Sequence, residues 1–554
     1  MKRSTFLFFC LFSGLVNGQL ISQKKVFSRA DSLRGSLRPE RTCYDVQFYD
    51  ISIAVDTGTR RITGAVDITF NALTDITTLQ IDLSDSFTIS SLTCEERELP
   101  YTREGNAVFV AFMNKIPKHS TAVLHVQYSG RPVAARRAPW DGGFVWERDS
   151  NGYQWIGVAC EGLGASSWWP CKDHNSDEPD KGVLMKYTVP ASLMAVGNGA
   201  FRGAKKNNDG TATYTWQVSY PINLYDVTLN VGDYVHFSDT YRNADGSTVP
   251  LNYYVLSYHL EQAKVQFKQV KPMMQCYEKF LGKYPFARDG YKLVESPYLG
   301  MEHQSAIAYG NRYRTGYNGI DFSRIGLTFD YIIIHETGHE WWGNSVSCND
   351  MADMWLHESF CTYTESIYVE CLFGKEKALA YINAKKGQID NAAPIQGPYR
   401  GVNEEGDGDM YSKGSLMLNT IRSIVNDDAK WWPLMKSICD TAFRMKTTDA
   451  EAVVNYMAER THLPLVPVFH QYLNHAAIPE LHYSLTRVKG KQFNFRYYWK
   501  VDEAGFEMPV IYQLNGKAIR LNGSTTPQNV SVKLKKESEF SINEELTYFR
   551  LKKE

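Results

Sequence analysis

The sequence predicts a multidomain α+β protein, because three stretches of the 554-residue chain differ in their hydrophobic period. From residue 45 to about residue 241, apolar and polar residues alternate between recurring turn signals, which is typical of β-strands. After Tyr253 the apolar residues recur at helical spacing, and from His482 onwards the alternation returns. A chain of this length is also too long for one hydrophobic core. We therefore predict an N-terminal β domain, a mostly helical middle domain and a small C-terminal β-sandwich.

The individual elements follow from the same patterns. Strands are predicted at residues 46–55, 62–70, 107–112, 122–128, 211–218, 227–231, 493–499 and 530–534. Helices are predicted at residues 260–281, 325–340, 354–372, 415–424, 450–460 and 465–475. The predicted domains are residues 19–245 for the β domain, 246–480 for the helical domain and 481–554 for the sandwich, after a signal peptide at residues 1–18.

The signal peptide is predicted from the first residues. Lys2 and Arg3 precede an apolar run at residues 6–16, and Gly18 ends a short stretch suited to cleavage. The run is too short to span a bilayer, and the position of Cys10 inside it disfavours a lipoprotein anchor. No later segment predicts a membrane helix. We expect a mature chain without an integral membrane segment, exported to a periplasm or to the extracellular medium.

Composition excludes some partners. The chain has 60 Lys and Arg against 61 Asp and Glu, a formal net charge of −1, which gives no reason to expect nucleic acid or an anionic membrane as a partner. Ten cysteines, one of them in the signal peptide, form no paired spacing of the kind that binds zinc. We expect mostly buried thiols, with one or two disulfides.

The motif that indicates chemistry is His335-Glu336-Thr337-Gly338-His339. On a helix, residues i and i+4 share a face, so both imidazoles can bind one metal ion. Zinc needs a third ligand and an open position for water, and Glu358, at the start of the next predicted helix, can supply the third ligand. Two turns further on, Glu365 can orient one histidine through a hydrogen bond. These residues predict one zinc ion per chain.

Two further residues have predicted roles in peptide hydrolysis. Glu336 lies beside His335, where it can take a proton from the metal-bound water and act as general base. Tyr411, in Met410-Tyr411-Ser412-Lys413-Gly414, is the candidate donor to the oxyanion that then forms. In a chain with 34 tyrosines, this residue alone would indicate only packing.

With Gly300-Met301-Glu302 upstream and Cys160-Glu161 in the β domain, the sequence resembles the zinc aminopeptidase family that contains aminopeptidase N and leukotriene hydrolase, a gluzincin family. The resemblance extends over nearly the whole mature chain. It implies a saddle-like N-terminal β domain, a thermolysin-like catalytic domain and a small β-sandwich. Many members add a C-terminal helical superhelix, for which this chain is expected to be too short.

The resemblance also implies how a substrate is held. Glu302 looks like the residue that binds the free α-amino group of a peptide, and Glu161 looks like its partner, with Gly300 and Met301 beside the substrate backbone. Two carboxylates next to a zinc site form a receptor for one ammonium group. The implied partners are therefore peptides with a free N-terminus.

The match has departures and leaves alternatives. Leu299 and His303 replace the first glycine and the last asparagine of the family's Gly-x-Met-Glu-Asn motif, and we interpret His303 as support for the loop. A bifunctional enzyme that also hydrolyses lipid epoxides is one alternative; in the family that activity accompanies glutamine where this chain has Glu161. An inactive protein-binding scaffold is the other, although the ligands, the base and the tyrosine are all present.

Overall fold

The computed structural model describes residues 26–399 and 401–554, so the signal peptide predicted for residues 1–18 lies outside the described residues. The fold is multidomain α+β, as predicted: a large β part precedes a helical region, and a smaller β part follows. In the described part of the chain, no helix is both long and apolar enough to cross a membrane.

The N-terminal part begins with two short helices, α1 (Arg29–Gly35) and α2 (Pro39–Thr42). Its strands are β1 (Tyr44–Asp56), β2 (Arg61–Ala72), β3 (Ile76–Asp82), β4 (Phe87–Cys94), β5 (Arg97–Glu98), β6 (Tyr101–Glu104), β7 (Ala107–Ile116), β8 (Thr121–Gly130), β9 (Gly143–Arg148), β10 (Gln154–Ala159), β11 (Val183–Pro190), β12 (Met194–Val196), β13 (Ala200–Lys206), β14 (Thr211–Val218) and β15 (Asn230–Gly232). They form sheets in the orders β13-β14-β11-β1-β2-β8-β4-β5, β12-β15-β10-β9 and β3-β7-β6. Each predicted strand in this part is present, although the strand predicted at residues 227–231 begins only at Asn230, as the short β15.

A further sheet begins at the end of the predicted β domain and continues into the region predicted to be mostly helical, and its strands were missed. Its strands are β16 (Tyr234–Arg242), β17 (Thr248–Leu256), β18 (Tyr291–Glu295), β19 (Gly300–Met301) and β20 (Ile307–Tyr309), in the order β16-β17-β18-β20-β19. Strands as short as β19 and β20 give too few residues for a visible alternation. The domain boundary predicted between residues 245 and 246 falls inside the β16–β17 hairpin. A boundary placed before Tyr234 would assign all strands of this sheet to one domain.

The helices of this region lie between β17 and β18 and after β20. Its helices are α3 (Leu260–Gln266), α4 (Val270–Leu281), α5 (Tyr331–Gly338), α6 (Trp355–Phe373), α7 (Lys375–Ala384), α8 (Ser412–Val425), α9 (Asp428–Ser437), α10 (Ala450–Thr461) and α11 (Val466–Leu473), with the short strands β21 (Val346–Cys348) and β22 (Lys446–Thr448). The helix predicted to begin at residue 325 begins instead at Tyr331, because the Asp330 side chain accepts a hydrogen bond from the Ile332 N–H and caps the helix there. Helices α7 and α9 were not predicted from the sequence.

The C-terminal part consists of two small sheets that pack face to face. The strands are β23 (Glu480–Lys489), β24 (Gln492–Lys500), β25 (Val510–Leu514), β26 (Lys517–Leu521), β27 (Gln528–Lys533), β28 (Phe540–Ile542) and β29 (Arg550–Lys553), in the orders β27-β24-β23-β29 and β26-β25-β28. Phe495 of the first sheet contacts the rings of Tyr512 and Phe540 of the second. These contacts are those of a small β-sandwich, as predicted.

Two hydrophobic cores meet near the candidate site. One core fills the N-terminal part and includes Tyr298 and Met301 from the later sheet. The other runs from the helical region into the C-terminal sandwich and includes Ile332 and Ile333 of α5. The segment around β19 therefore joins the two cores.

The described cysteines are all free thiols. Eight of the nine are buried, as predicted, and Cys371 is exposed. Within residues 26–399 and 401–554 no disulfide is present, so the expectation of one or two bridges is wrong for this structure.

Candidate metal centre and active site

The short helix α5 carries both histidines of the motif. His335 lies in its last turn and His339 is its C-terminal capping residue, and the two Nε2 atoms are 3.3 Å apart. Glu358, in the first turn of α6, places its Oε2 atom 3.7 Å from the Nε2 of His335 and 3.4 Å from the Nε2 of His339. All three side chains are buried. The three predicted ligand atoms therefore converge on one point.

The far ring nitrogens fix the two imidazoles. The Nδ1 of His339 lies 3.0 Å from the carbonyl oxygen of Trp342, which can only accept, so this nitrogen carries the proton. The Nδ1 of His335 lies 2.9 Å from Oε1 of Glu365, which accepts in the same way. Both Nε2 atoms are thereby left with a lone pair directed at the shared point. The contact between Glu365 and His335 is the one that the orienting role expected of Glu365 requires.

The arrangement fits a zinc ion. Two ligand atoms bound about 2.0–2.1 Å from a tetrahedral zinc stand roughly 3.3–3.4 Å apart, close to the distances between the three atoms here. The Oε2 of Glu358 is buried without a hydrogen-bond partner among the described residues, a costly state that a bound cation would relieve. Cys361 also lies within reach of both imidazoles, but its thiol contacts the main-chain oxygen of His335 at 2.9 Å. Glu358 is therefore the better third ligand.

Glu365 is itself held in its charged form. Its Oε2 accepts from the Nζ of Lys385 at 2.8 Å and from the hydroxyl of Tyr381 at 2.7 Å. Burial opposes this charge, but Lys385 and the hydrogen bond to His335 outweigh burial and lower the pKa of Glu365 to about 2. A permanently ionised carboxylate keeps the imidazole of His335 in the orientation needed to bind a metal ion.

Glu336 lies between the histidines and strand β19. Burial is the largest cause that raises its pKa, to about 7, while the neighbouring His335 opposes the rise. Gly300 packs directly against it: a Cβ atom at Gly300 would lie 2.7 Å from the Oε1 of Glu336 and 2.8 Å from a methyl carbon of Ile332. A side chain at residue 300 would therefore displace the carboxylate, which is a physical reason for glycine there.

Two more carboxylates stand beside the metal ligands. Glu302 is buried, and its Oε1 accepts a hydrogen bond of 3.2 Å from the hydroxyl of Tyr225. A carboxylate oxygen of Glu302 lies within 4.8 Å of ligand atoms of His339 and Glu358. Burial raises the pKa of Glu302, and burial together with the charge of Glu302 raises the pKa of Glu161 well above its usual range. A cation between the two carboxylates would relieve both effects.

Tyr411 lies directly before helix α8, across the cavity from α5. Its ring stacks on that of His335 with the centroids 6.2 Å apart, and about 36% of the residue is exposed. Desolvation at the base of the cleft, followed by the charge of Glu358, raises the pKa of Tyr411 well above its usual range. The phenol therefore stays protonated and can donate a hydrogen bond.

One cavity of about 540 Å³ brings these residues together. It is lined by nine of the ten residues predicted for the site: Glu161, Gly300, Met301, Glu302, His335, Glu336, His339, Glu358 and Tyr411. Glu365 lies behind His335, consistent with a supporting position. Exposed aromatic side chains, Trp140 and Phe322, lie at the mouth of the cavity.

His303 differs from its expected role. It is fully buried, and neither ring nitrogen has a hydrogen-bond partner among the described residues, so it does not support the loop through hydrogen bonds. Burial lowers its pKa to about 3, and the imidazole is neutral. The loop is held instead by Asn344, whose side-chain N–H donates to the carbonyl oxygen of Glu302 at 2.8 Å.

Several residues of the site were missed from the sequence. Tyr225, Asn344 and the pair Tyr381 and Lys385 at the end of α7 reach it from three separate parts of the chain, and no local spacing connects them to the motif. Tyr331 could have been found, because it precedes His335 by four residues on the same helix face and stacks on its ring.

Comparison with known proteins identifies the domain. Residues 265–472 match the Peptidase family M1 domain. The chain is 21% identical over 425 residues to a leucyl aminopeptidase of Saccharolobus solfataricus, covering 72% of this chain and 51% of that protein. It is 26% identical over 277 residues to aminopeptidase N of Streptomyces lividans, covering 46% of this chain and 31% of that protein. The chain thus spans about half, or less, of the length of these curated relatives.

Solved structures show the same fold. An M1 zinc metallopeptidase from Deinococcus radiodurans superposes with a TM-score of 0.66 at 22% identity, covering 78% of this chain and 94% of that one. Aminopeptidase A of Legionella pneumophila superposes with a TM-score of 0.77 at 15% identity, covering 92% of this chain and 60% of that one. The chain thus contains a segment that matches the Peptidase family M1 domain, is similar to aminopeptidase N, and shares its fold with M1 zinc metallopeptidases.

Proposed function

We propose that the chain is a zinc-dependent aminopeptidase that hydrolyses the N-terminal peptide bond of peptides. One observation carries the proposal: three convergent metal ligands and two further carboxylates, the buried Glu302 and the half-buried Glu161, line the same cavity. We call His335, His339 and Glu358 the metal end of the cavity, and Glu302 with Glu161 the amine end. The relatives named aminopeptidases support the proposal, as does a Deinococcus radiodurans mutant described as bound to a Tyr-Ser-Ala substrate.

The metal end would hold one zinc ion per chain through two imidazoles and one carboxylate. When bound there, zinc supplies a positive charge that polarises a carbonyl group and makes a water molecule more acidic. Glu336, whose pKa of about 7 suits proton transfer near neutral pH, accepts the proton of the attacking water. The same carboxyl group then delivers a proton to the departing amine.

Tyr411 is proposed to stabilise the charge that develops on the carbonyl oxygen. Its phenol lines the cavity beside the ring of His335 and keeps its proton, because its pKa is raised. A hydrogen-bond donor in a desolvated cleft stabilises an oxyanion more strongly than the same donor does in water.

The amine end is proposed to select substrates. An α-ammonium group placed between Glu302 and Glu161 would offset the burial and the repulsion from Glu302 that together raise the pKa of Glu161. An acylated N-terminus carries no such charge and would leave the two carboxylates without a cation. Cleavage then releases single N-terminal residues.

Export is a further proposal. The charged residues Lys2 and Arg3 and the apolar run at residues 6–16 favour a cleaved signal peptide and a periplasmic or extracellular protein.

Two alternative functions find less support. An inactive scaffold would not need metal ligands, a base and a tyrosine around one cavity. The glutamate at residue 161 disfavours epoxide hydrolysis.

The test compares two peptides that differ only at the N-terminus. The zinc-loaded protein should release the first residue of a tripeptide with a free amino group and leave its N-acetylated form intact, as read by mass spectrometry of the products. Chelation should abolish cleavage, and added zinc should restore it. Equal cleavage of both peptides would contradict the amine end, and cleavage unaffected by chelation would contradict the metal end.

A further inference from the structure

Two cysteines on different helices lie close together. Cys276 is on α4 and Cys371 is near the end of α6. The Sγ of Cys276 also lies 3.6 Å from the carbonyl oxygen of Ile367, four residues before Cys371 on the same face of α6. Cys276 is buried and Cys371 is exposed. One thiol of the pair is open to solvent and the other is shielded.

The surroundings give the two thiols different reactivity. The hydrogen bond from Cys276, with a smaller contribution from the ammonium of Lys279, lowers the pKa of Cys371 to about 7, although partial burial and Glu370 oppose it. Burial raises the pKa of Cys276. Glu370 is itself engaged by two hydrogen bonds from Arg422. An exposed thiol that ionises near neutral pH, next to a shielded second thiol, is the arrangement of an attacking and a resolving cysteine.

We propose that Cys276 and Cys371 form a reversible disulfide that links α4 to α6. The oxidant is a small disulfide such as oxidised glutathione. The Cys371 thiolate attacks one glutathione sulfur, the glutathione S–S bond breaks, and one glutathione thiolate leaves. Cys276 then gives its proton to solvent and attacks the Cys371 sulfur, which releases the second glutathione. Two protein thiols are oxidised by two electrons, and one glutathione disulfide is reduced to two thiols.

The bridge would join the two helices that frame the active site. Helix α6 carries Glu358 and Glu365, and α4 contacts α5 through Tyr277, whose hydroxyl donates to the carbonyl oxygen of Ile334 at 2.8 Å. The segment closed by the bridge contains all of α5. Closing so long a loop restricts the unfolded chain and favours the folded one. The inference does not depend on the proposed function.

The experiment uses the full chain, incubated with oxidised glutathione or with a reducing agent, then denatured and alkylated. Oxidation should remove two of the alkylated thiols and lower the unlabelled mass by about 2 Da. Digestion without reductant should yield one linked pair of peptides, containing Cys276 and Cys371. The thermal midpoint of the oxidised protein should exceed that of the reduced protein by about 4 °C or more.

Variants separate the steps. Cys371→Ser should prevent oxidation, whereas Cys276→Ser should retain a glutathione adduct on Cys371 of about 305 Da. Cys439→Ser, which alters another buried thiol, should still give the linked peptides. The proposal is overturned if the oxidised wild-type chain keeps both thiols free to alkylation, or if Cys371 carries only a glutathione adduct that Cys276 does not displace.

Discussion

At the metal end, both imidazoles are fixed by hydrogen bonds from their far ring nitrogens, to Glu365 and to a main-chain carbonyl oxygen, whereas the amine end keeps two poorly compensated carboxylates. Lys385 and the hydrogen bond to His335 stabilise the charged form of Glu365 and lower the pKa of this residue to about 2. The pKa values of Glu302 and Glu161 are raised. The metal end is therefore preorganised, whereas the negative charge of the two carboxylates at the amine end stays poorly compensated until a cation binds.

This difference explains how the two ends would divide the work. A rigid ligand set positions the reacting water and costs little reorganisation during the reaction. A pair of carboxylates with raised pKa values gains most when an ammonium group binds between them, so the proposed function makes substrate binding there selective for a free amine. Changes at the metal end should therefore alter turnover or zinc affinity, and changes at the amine end should alter substrate discrimination.

The largest effect is expected from Glu336→Gln, which removes the base but none of the ligands. We expect kcat to fall by roughly 10²- to 10⁴-fold while the protein retains about one zinc per chain, as measured by steady-state kinetics and metal analysis. The control is Glu340→Gln, because Glu340 is buried nearby but is bonded to Ser305 and Tyr284. An unchanged kcat in Glu336→Gln would remove this residue as the base.

Glu302→Gln tests the amine end. It should lower kcat/KM for a peptide with a free N-terminus by about 10- to 100-fold, because a charge-assisted contact to the ammonium group is lost. Zinc content should not change. Glu147→Gln, at an exposed residue of β9, is the matched control. If discrimination between the free and the acetylated peptide were as strong as in the wild type, Glu302 would not be part of the amine receptor.

Glu365→Gln tests the support of the metal end. Without the charged acceptor for the Nδ1 of His335, zinc affinity should weaken by about 10- to 100-fold, as measured by competition with a chelator. At saturating zinc, kcat should change less than zinc affinity does. Glu376→Gln, at an exposed residue of α7, should leave both unchanged. Wild-type zinc affinity in Glu365→Gln would show that this hydrogen bond contributes nothing to the site.

Gly300→Ala tests the contact between strand β19 and Glu336, which lies between the two ends, and it has the smallest expected effect. The added Cβ would lie 2.7 Å from the Oε1 of Glu336, so the carboxylate must move, and we expect kcat to fall by roughly tenfold at unchanged zinc content. The control is Gly387→Ala, since a Cβ at Gly387 meets nothing within 4 Å. Full activity in Gly300→Ala would show that Glu336 tolerates the displacement.

The metal end could be predicted from the sequence because its geometry is local. His335 and His339 lie one turn apart at the end of α5, and Glu358 and Glu365 lie two turns apart on α6, so spacing alone indicates which side chains share a face. The amine end could not be found in this way. Glu161 and Glu302 come from different parts of the chain, and only the family resemblance connects them.

The remaining gaps have a similar cause. Tyr381 and Lys385 lie on and just after a helix that the sequence analysis missed, and their contact with Glu365 depends on tertiary packing. Strand β19 is two residues long, too short for any periodic signal, yet it places Gly300 against Glu336. The start of α5 was set six residues too early, because the cap at Asp330 has no apolar signature.

The central claim is that the preorganised metal end holds a zinc ion on which activity depends. The most direct measurement is metal analysis of the dialysed protein, in parallel with its peptidase rate, before and after chelation. The account predicts about one zinc per chain, loss of activity with loss of zinc, and recovery of both on adding zinc back. A metal-free preparation with full activity would contradict it.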